Sequence, residues 1–414
     1  MKKINKKSEK KDSKFLDCEY MDKIGEVATY YGFSSFKSPE ITKNDLSIAK
    51  EIMEGDYIDD ETDKHNRVPL KVEEKIAVLR MYHDMGLFSL PQPVMMYFKD
   101  SCKGSDRKGS YNRYADLEIL GTSGSIAEAT LIQTTRAMLT EEGYTDTMVE
   151  INSIGDKESI NRFTRELSNY YRKKINDMTA SMRQLLKKDP FELLACHTDE
   201  CKKLNEGAPK SMDFLTENSK RHLEEVLEYF ESLNIPYTIN NSLIGNKKYC
   251  AETIFAIIDK DEKSKQRILA IGERYTGLAK RLGMKKDVHG VGISLLIKNQ
   301  KVGLRDGIKK TKKPVASFMQ LGLESKHIAL QVIESLRQVK VPLYLSLAKD
   351  RLGAQVSNIE RYKTPYLIVM GKKEAVDKTA IVRKVDTHSQ DVVPLADLPA
   401  YMKKVEEKHF KGAK

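Results

Sequence analysis

A break in the apolar pattern near residue 310 limits what this chain can fold into. Residues 304–318 read LRDGIKKTKKPVASF, in which a glycine, a proline and a run of lysines interrupt the apolar segments on either side. The chain has 414 residues, and single hydrophobic cores stop growing near roughly 250 to 300 residues. We therefore predict one domain over residues 17–310, a linker over 311–325 and a second domain over 326–414.

The region before the break alternates strand-like and helical segments. VMMYFKD and YADLEILG are strand-like and flank a basic loop, SCKGSDRKGSYNR, and the helical segment SIAEATLIQTTRAMLTEEG follows them. Residues 221–233 predict a helix with one apolar face, formed by Leu223, Val226, Leu227, Phe230 and Leu233. We predict a helical insertion over about residues 160–230, between strand-rich parts.

The region after the break has a different pattern. HIALQVIESLRQ is typical of a helix, VPLYLSLA is typical of a strand, and YLIVMG is a continuous apolar run. Continuous apolar strands between helices are typical of parallel sheets that are covered on both faces. The second domain is therefore predicted to be a small α/β domain with a mostly parallel sheet.

The charge of the chain favours a polyanionic partner. The formal net charge is +11, and residues 1–14 contain seven lysines against Glu9 and Asp12. A basic balance suits nucleic acid, although a lysine-rich tail can also serve only to keep a protein in solution. We predict a basic disordered tail over residues 1–16.

The sequence gives no indication of a membrane segment or a metal site. No apolar run approaches the roughly 18 to 20 residues of a membrane span, and none follows the N-terminal lysines as in a signal peptide, so we predict a cytoplasmic protein. The five cysteines are an odd number and do not indicate a disulfide framework. Cys196, His197 and Cys201 are possible soft ligands, but a structural zinc site takes four, so no metal site is predicted.

Several stretches of the chain resemble histidyl-tRNA synthetases. They include VEINSIGDKESINRFTRELSNYY and HLEEVLEYFESLNIPYTINNSL, while YYGFSSFKSPEI resembles the first class II motif and GERYTGLAKRLG resembles the family's GGRYD segment. The resemblance runs from about residue 17 to about residue 408. It implies an α+β class II aminoacyl-tRNA synthetase catalytic domain, in which helices flank an antiparallel sheet, with a helical insertion. It also implies a C-terminal α/β anticodon-binding-like domain and a homodimer.

The family's ATP-binding motifs are altered in this sequence. The second class II motif uses an arginine followed two residues later by a glutamate, and the matching positions are Lys103 and Ser105. Arginine contacts phosphate through two donors, whereas lysine offers a point charge. Arg107 and Arg113 lie in the same loop, and the candidate catalytic cations are Lys103 and Arg113. The third motif's Gly-Leu-Glu-Arg reads LIKN at residues 296–299, so its arginine is absent.

The family's amino-acid-binding elements are also altered. Its Arg-Pro-Glu-Gly-Thr element reads KVEEK at residues 71–75, and its histidine-specific Arg-Gly-Leu-Asp-Tyr-Tyr element reads GNKKYC at residues 245–250. In the GGRYD-like segment the second glycine is Glu273 and the aspartate is Thr276. The candidate substrate-pocket residues in this register are Glu73, Arg80, Tyr249, Thr253, Arg274 and Tyr275.

The C-terminal region carries the candidate RNA-binding residues. The stretch from ALQVIESLRQ to VDTHSQ matches the family's anticodon domain, which makes Gln355, Glu374 and Arg383 candidates, together with Lys312 and Lys313 in the linker. Other paired lysines would either contact phosphate or lie solvated at the surface: Lys247, Lys248, Lys285, Lys286, Lys309 and Lys310. The predicted partner is tRNA or another RNA.

The altered motifs decide which function the sequence favours. Loss of one contact that stabilises the transition state costs about 2 to 3 kcal/mol, and several elements are altered together here. The sequence favours a histidyl-tRNA-synthetase-like protein that binds tRNA or other RNA and has impaired or lost histidine adenylation. One alternative is an active histidine–tRNA ligase, which would use ATP and Mg²⁺. The other is a regulatory subunit resembling that of ATP phosphoribosyltransferase.

Overall fold

The computed structural model describes residues 22–53, 71–103, 110–196, 198–261, 268–301, 313–345, 355 and 363–411. These residues form two compact units. The larger unit begins at Phe33 and ends with residue 301, and the smaller unit combines residues 22–32 with the described residues from 313 onward.

The larger unit contains the first eight strands and nine of the described helices. Its strands are β1 Ser34–Ser35, β2 Val94–Lys103, β3 Ser110–Leu120, β4 Thr147–Gly155, β5 Tyr237–Ile239, β6 Cys250–Asp259, β7 Ile268–Tyr275 and β8 Gly290–Lys301. Helix α1, Lys23–Tyr30, precedes this unit, whose helices are α2 Lys43–Met53, α3 Val72–Asp84, α4 Ile126–Glu141, α5 Lys157–Lys173, α6 Ala180–Lys188, α7 Pro190–Leu194, α8 Asp199–Asn205, α9 Glu217–Ser232 and α10 Leu278–Arg281.

The eight strands form one sheet in the order β1-β2-β3-β8-β7-β6-β4-β5. The pairs at the two edges, β1 with β2 and β4 with β5, are parallel. The pairs between them are antiparallel. The predicted antiparallel sheet with flanking helices is therefore confirmed, with one short parallel strand at each edge.

Helices α5 to α9 lie between β4 and β5 in the chain, where the helical stretch was predicted. Helix α5 begins after Asp156, whose side chain accepts a hydrogen bond from the backbone N–H of Ser159 at 2.9 Å, as an N-cap residue does. In α9, Leu223, Val226 and Phe230 of the predicted apolar face are buried. The amphipathic pattern therefore indicated both the helix and the face it buries.

Two apolar clusters stabilise the larger unit. One joins α2, α3 and β2 and includes Tyr249 and Tyr275. The other joins α5 to α8 and includes Cys250. Because Tyr249 and Cys250 are consecutive and pack into different clusters, the chain at residues 245–250 runs between the two.

The described part of the smaller unit has a five-stranded sheet and, from residue 316 onward, three helices with described bounds. Its strands are β9 Ala316–Gln320, β10 Leu343–Leu345, β11 Tyr366–Met370, β12 Thr379–Lys384 and β13 Gln390–Pro394, and its helices are α11 Leu323–Gln338, α12 Lys372–Asp377 and α13 Leu398–Lys411. The strand order is β10-β9-β11-β12-β13, in which β10, β9 and β11 are parallel and β12 and β13 are antiparallel. The sheet is mixed, so the prediction of a mostly parallel sheet was wrong. The sequence did not reveal β13 because this strand buries only Val393 and contains no apolar run.

Helix α1 packs in the smaller unit. Tyr31 Oη donates to Glu334 Oε2 at 2.5 Å, and Tyr30 Oη donates to the carbonyl of Ile333 at 3.4 Å. The first domain was predicted to begin at residue 17, which lies outside the described residues, and its limits stay a prediction. None of the helices in the described part of the chain is long and apolar enough to cross a membrane.

Candidate functional site

Glu118 and Glu273 lie on one face of the larger sheet with a glycine between them. In the strand register, Glu118 of β3 and Glu273 of β7 both oppose Gly292 of β8, so the three positions point to the same face. A Cβ atom on Gly292 would lie 2.2 Å from Glu118 Oε1. The glycine therefore provides room for the two carboxylates, whose residues are only 6% and 1% exposed.

Lys75 reaches this pair of carboxylates from helix α3. Its Nζ lies 3.6 Å from Glu273 Oε1, 4.0 Å from Glu118 Oε1 and 4.7 Å from the centre of the Tyr275 ring. Tyr275 Oη in turn donates to Glu118 Oε2 at 2.9 Å. Lys75 is 5% exposed, and a buried ammonium group is tolerated only where opposite charges replace its lost hydration.

Burial and charge act in opposite directions on this cluster. Burial alone would lower the pKa of Lys75, but Glu118 and Glu273, with smaller contributions from Glu74 and Asp116, raise it. Burial raises the pKa of both Glu118 and Glu273, although Lys75 opposes the effect. Burial, with the nearby charge of Asp116, also raises the pKa of Glu74 to about 8. Lys75 therefore stays charged while the surrounding carboxyl groups become harder to ionise.

The stretch at residues 245–250 supplies two further members of the cluster. Cys250 opposes Tyr275 in the register of β6 and β7, and its thiol partly opposes the rise in the pKa of Glu273. Burial, followed by the charge of Glu273, raises the pKa of Tyr249 and of Cys250. A Cβ atom on Gly245 would lie 2.2 Å from Cys250 Sγ, so the glycine permits this close packing.

The cluster has the chemistry of a site for a primary ammonium group. Two carboxylates and a tyrosine ring face one cation, and both kinds of group attract an ammonium. Here that ammonium belongs to Lys75.

Arg274 and Thr253 lie in a second buried cluster, around Glu128. Arg274 Nε and Nη2 each donate to a carboxylate oxygen of Glu128 at 2.6 Å, and Thr253 Oγ1 donates to Glu128 Oε1 at 2.9 Å. Burial would raise the pKa of Glu128, but Arg274 and His222 together hold it far below its usual range. The guanidinium also donates to two backbone carbonyl groups, those of Thr122 and Gly124. This geometry favours a structural role for Arg274 and Thr253.

The other predicted cations lie apart from the Lys75 cluster or outside the described side chains. Arg80 forms a bidentate pair with Asp45, at 3.1 Å and 3.0 Å. Arg113 is paired with Glu142. Lys103 is the last residue of β2, and its side chain is not among those described.

The position of the third motif's arginine falls within a strand. The four residues 296–299 belong to β8, which continues to Lys301. Leu296 and Ile297 are buried and pair with Tyr114 and Arg113 of β3. The described backbone at this position is therefore extended, whereas the family motif has a helix that carries the arginine.

Lys247 contacts the helical segment instead of the Lys75 cluster. Its Nζ lies 2.8 Å from Asp189 Oδ2, at the N-cap of α7, and 5.3 Å from the centre of the Phe191 ring. The backbone N–H of Lys248 donates to Asn246 Oδ1 at 3.0 Å, which forms a local turn.

The predicted RNA-binding residues have different surroundings. Gln355 is buried and exchanges two hydrogen bonds with the backbone of Gln320, and Glu374 accepts from the backbone N–H of Gly371 at 2.9 Å, before α12. Arg383 is exposed, and its Nη2 donates to His388 Nδ1 at 3.1 Å. Lys313 is half-buried, and Lys312 lies outside the described residues.

The cysteines of the helical segment form a disulfide in this structure. Cys196 is bonded to Cys201, with Cα atoms 5.8 Å apart, although the cysteine count did not indicate a framework. Cys250 is free and buried. Among the described residues, which do not include His197, no group of three or more potential ligands is placed to hold a metal ion.

Sequence reasoning missed the central members of the cluster. Glu73, Tyr249 and Tyr275 were selected, and all three are buried, with the charge of Glu73 helping to raise the pKa of Tyr249. Lys75, Glu118 and Glu273 were not selected. A signal was present, because a lysine and a glutamate of opposite charge both stand at altered positions of the amino-acid-binding elements.

This chain resembles known proteins along most of its length. Residues 314–405 match a family model described as an anticodon binding domain. The histidine–tRNA ligase of Fervidobacterium nodosum is 27% identical over 382 residues, which are 89% of this chain and 90% of the relative. That of Clostridioides difficile is 22% identical over 395 residues, 92% of this chain and 94% of the relative. Among solved structures, apo S. aureus histidyl-tRNA synthetase is 21% identical, with a TM-score of 0.49 and coverage of 91% of this chain and 93% of that one.

The antiparallel sheet with its flanking helices, followed by the matched anticodon-binding domain, defines a class II aminoacyl-tRNA synthetase fold. Within that class, the chain is similar to histidine–tRNA ligases along about nine-tenths of its length.

Proposed function

We propose that this protein binds tRNA or another RNA and no longer forms histidyl-adenylate. The observation that carries the proposal is the Lys75 ammonium, buried between Glu118 and Glu273 and over the Tyr275 ring. Lys75 lies in the element that corresponds to the family's amino-acid-binding Arg-Pro-Glu-Gly-Thr, and Glu273 stands at a glycine of the GGRYD segment. These contacts support a pocket in which the chain's own side chains occupy the space that the family would give to the amino acid.

A free amino acid would have to displace this internal cation. Its ammonium group seeks the same kind of partner, two carboxylates and an aromatic ring. Removing Lys75 from a buried pair leaves uncompensated charge, which costs about 3 to 5 kcal/mol. A ligand would have to recover that cost before it gained any net affinity, so we expect no measurable binding of histidine.

The residues at the altered ATP-binding motifs support the same proposal. The position of the third motif's arginine is Asn299, in extended β8, and an asparagine amide carries no positive charge to offset that of a phosphate. Arg113, the alternative cation of the second motif, is paired with Glu142. The residues that these motifs would use to hold ATP with Mg²⁺ therefore fit that group poorly.

RNA binding is supported by the domain match and the charge. Residues 314–405 match an anticodon binding domain, the relatives are named as tRNA ligases, and the net charge is +11. A homodimer, as the family resemblance implies, and a cytoplasmic location are parts of this proposal.

Filter binding with an unfractionated tRNA pool at two salt concentrations tests the RNA-binding part. We expect binding at low salt that weakens steeply as salt rises, because phosphate contacts release counterions. No binding at low salt would refute it.

Thermal unfolding with added histidine tests the closed pocket and separates the alternatives. We expect no shift in the unfolding temperature. A shift with histidine alone would favour a regulatory subunit, whereas a shift that needs ATP as well would favour an active ligase.

A further inference from the structure

The turn after β7 carries an unusual concentration of positive charge. Residues 277–289 read GLAKRLGMKKDVH, and we call them the basic loop. Four cations of the basic loop are exposed: Lys280, Arg281, Lys285 and Lys286. Its only acidic residue is Asp287, so the loop has an excess of three positive charges.

The carboxylate of Asp287 is engaged by the loop itself. Its Oδ2 accepts from Thr276 Oγ1 and from the backbone N–H of Gly277, both at 2.8 Å, and its Oδ1 accepts from the N–H of Val288 at 3.0 Å. None of the four exposed cations forms an ion pair with another described side chain. Asp287 therefore closes the loop. Arg281 Nη2 also donates to the carbonyl of Lys248 at 3.5 Å, but no carboxylate of the described residues neutralises any of the four cations.

The apolar residues of the basic loop anchor it to the larger unit. Leu278 and Ala279 are buried, and Leu282, Met284 and Val288 pack against the cluster that contains Tyr249 and Tyr275. The cations lie between these anchors and face solvent. A partner would therefore bind a preformed surface and would order only the four side chains.

We propose that the basic loop is a docking surface for the phosphate backbone of RNA. The proposal rests on the proposed RNA binding and adds a second contact region to the anticodon-binding-like domain. Nucleic-acid interfaces are polar and strongly positive, and the exposed side chains of the basic loop are the four cations and His289. A protein interface would instead need buried aromatic or other large anchors, and this loop exposes none.

Two variants with equal charge loss test this proposal. The loop variant carries Lys280→Gln, Arg281→Gln, Lys285→Gln and Lys286→Gln. The control variant carries Arg172→Gln, Lys173→Gln, Lys187→Gln and Lys203→Gln, four exposed cations of helices α5, α6 and α8. Thermal unfolding checks that both variants fold, and filter binding with the tRNA pool is measured over a range of salt concentrations.

If each cation contacts one phosphate, the loop variant lowers the slope of log affinity against log salt by about 3, since each contact contributes roughly 0.7 to 0.9. We expect an affinity loss of at least about tenfold at low salt, and a much smaller loss in the control variant. Equal losses in both variants would overturn the docking surface while leaving RNA binding intact. Unchanged tRNA binding with lost binding of poly(glutamate) would overturn it in favour of an acidic protein partner. Absence of tRNA binding in the unmodified protein would refute both proposals.

Discussion

At the scale of single residues, the buried ammonium group of Lys75 balances the charges of the cluster. A buried lysine is costly, and this one is held by Glu118, Glu273 and the ring of Tyr275. Glu273 Oε1 has no hydrogen-bond partner among the described residues, so Lys75 at 3.6 Å is its main compensation. Each charge in the cluster therefore depends on the others.

Lys75→Met should destabilise the protein by about 3 to 5 kcal/mol, because it leaves two buried carboxylates without a cation. Urea unfolding of the variant measures this change. Lys43→Met, at the exposed start of α2, is the control and should change stability by less than about 0.5 kcal/mol. The triple variant Lys75→Met, Glu118→Gln and Glu273→Gln should recover much of the loss. A Lys75→Met protein as stable as the control would contradict the account.

The raised pKa of Glu74 should make the stability of the protein depend on pH. Its pKa is raised from 4.5 to about 8, so between these values the folded state holds a proton that the unfolded state has lost. Stability should therefore fall as pH rises from about 4.5 to about 8 and then level off. Glu118, Glu273 and Asp116 have raised pKa values and add to the same trend.

Glu74→Gln should reduce that fall by about 1 to 3 kcal/mol. The measurement is urea unfolding at a series of pH values, with exposed Glu224→Gln as the control. If the free energy of unfolding of Glu74→Gln falls with pH as steeply as that of the unmodified protein, Glu74 does not hold the proton.

Sequence predicted part of this site because the register of the motifs fixed some positions in advance. Tyr249 and Tyr275 stand at positions that the family gives to its substrate pocket, and both belong to the observed cluster. The role of Lys75 depends on the pairing of Glu118 and Glu273 across Gly292. That pairing joins residues far apart in the chain, so no local pattern reveals it.

At the scale of elements, the stretch at residues 245–250 joins the two apolar clusters of the larger unit. Tyr249 packs into one apolar cluster and Cys250 into the other, while Lys247 pairs with Asp189 at the start of α7. The lysines in this stretch first suggested phosphate contacts. For Lys247, the observed contact is with the protein.

Lys247→Ala should destabilise the protein by about 1 kcal/mol, since the ammonium is partly shielded and also lies over the Phe191 ring. Lys260→Ala is a matched control, because its pair with Asp146 is more exposed, and it should cost less than about 0.5 kcal/mol. Chemical unfolding of the two variants compares them directly. If both variants lose the same free energy of unfolding, the contact of Lys247 with α7 contributes no more than an exposed ion pair.

The elements that sequence predicted best are those with a strong apolar period. The strand-like segments became β2 and β3, and the following helical segment became α4. The hairpin of β12 and β13 was missed because β13 buries only Val393 and β12 buries only Ala380 and Val382. An element could be predicted from the sequence when it buries a regular apolar face, and the helix or strand propensity of its residues mattered less.

At the scale of the whole molecule, the two units differ in how far they keep the family's features. The smaller unit contains the matched anticodon-binding domain. The larger unit keeps the fold, but its altered motifs come together in the Lys75 cluster and in the continuous strand β8. This contrast supports a protein that retains RNA recognition and has lost the chemistry of adenylation.

Histidine-dependent exchange of pyrophosphate into ATP tests that claim most directly, because it requires both the amino-acid site and the ATP site and needs no tRNA. The assay should include S. aureus histidyl-tRNA synthetase as a positive control and this protein at high concentration. We predict no exchange above the level measured without histidine. Clear exchange that depends on histidine would contradict the account and would establish an active ligase.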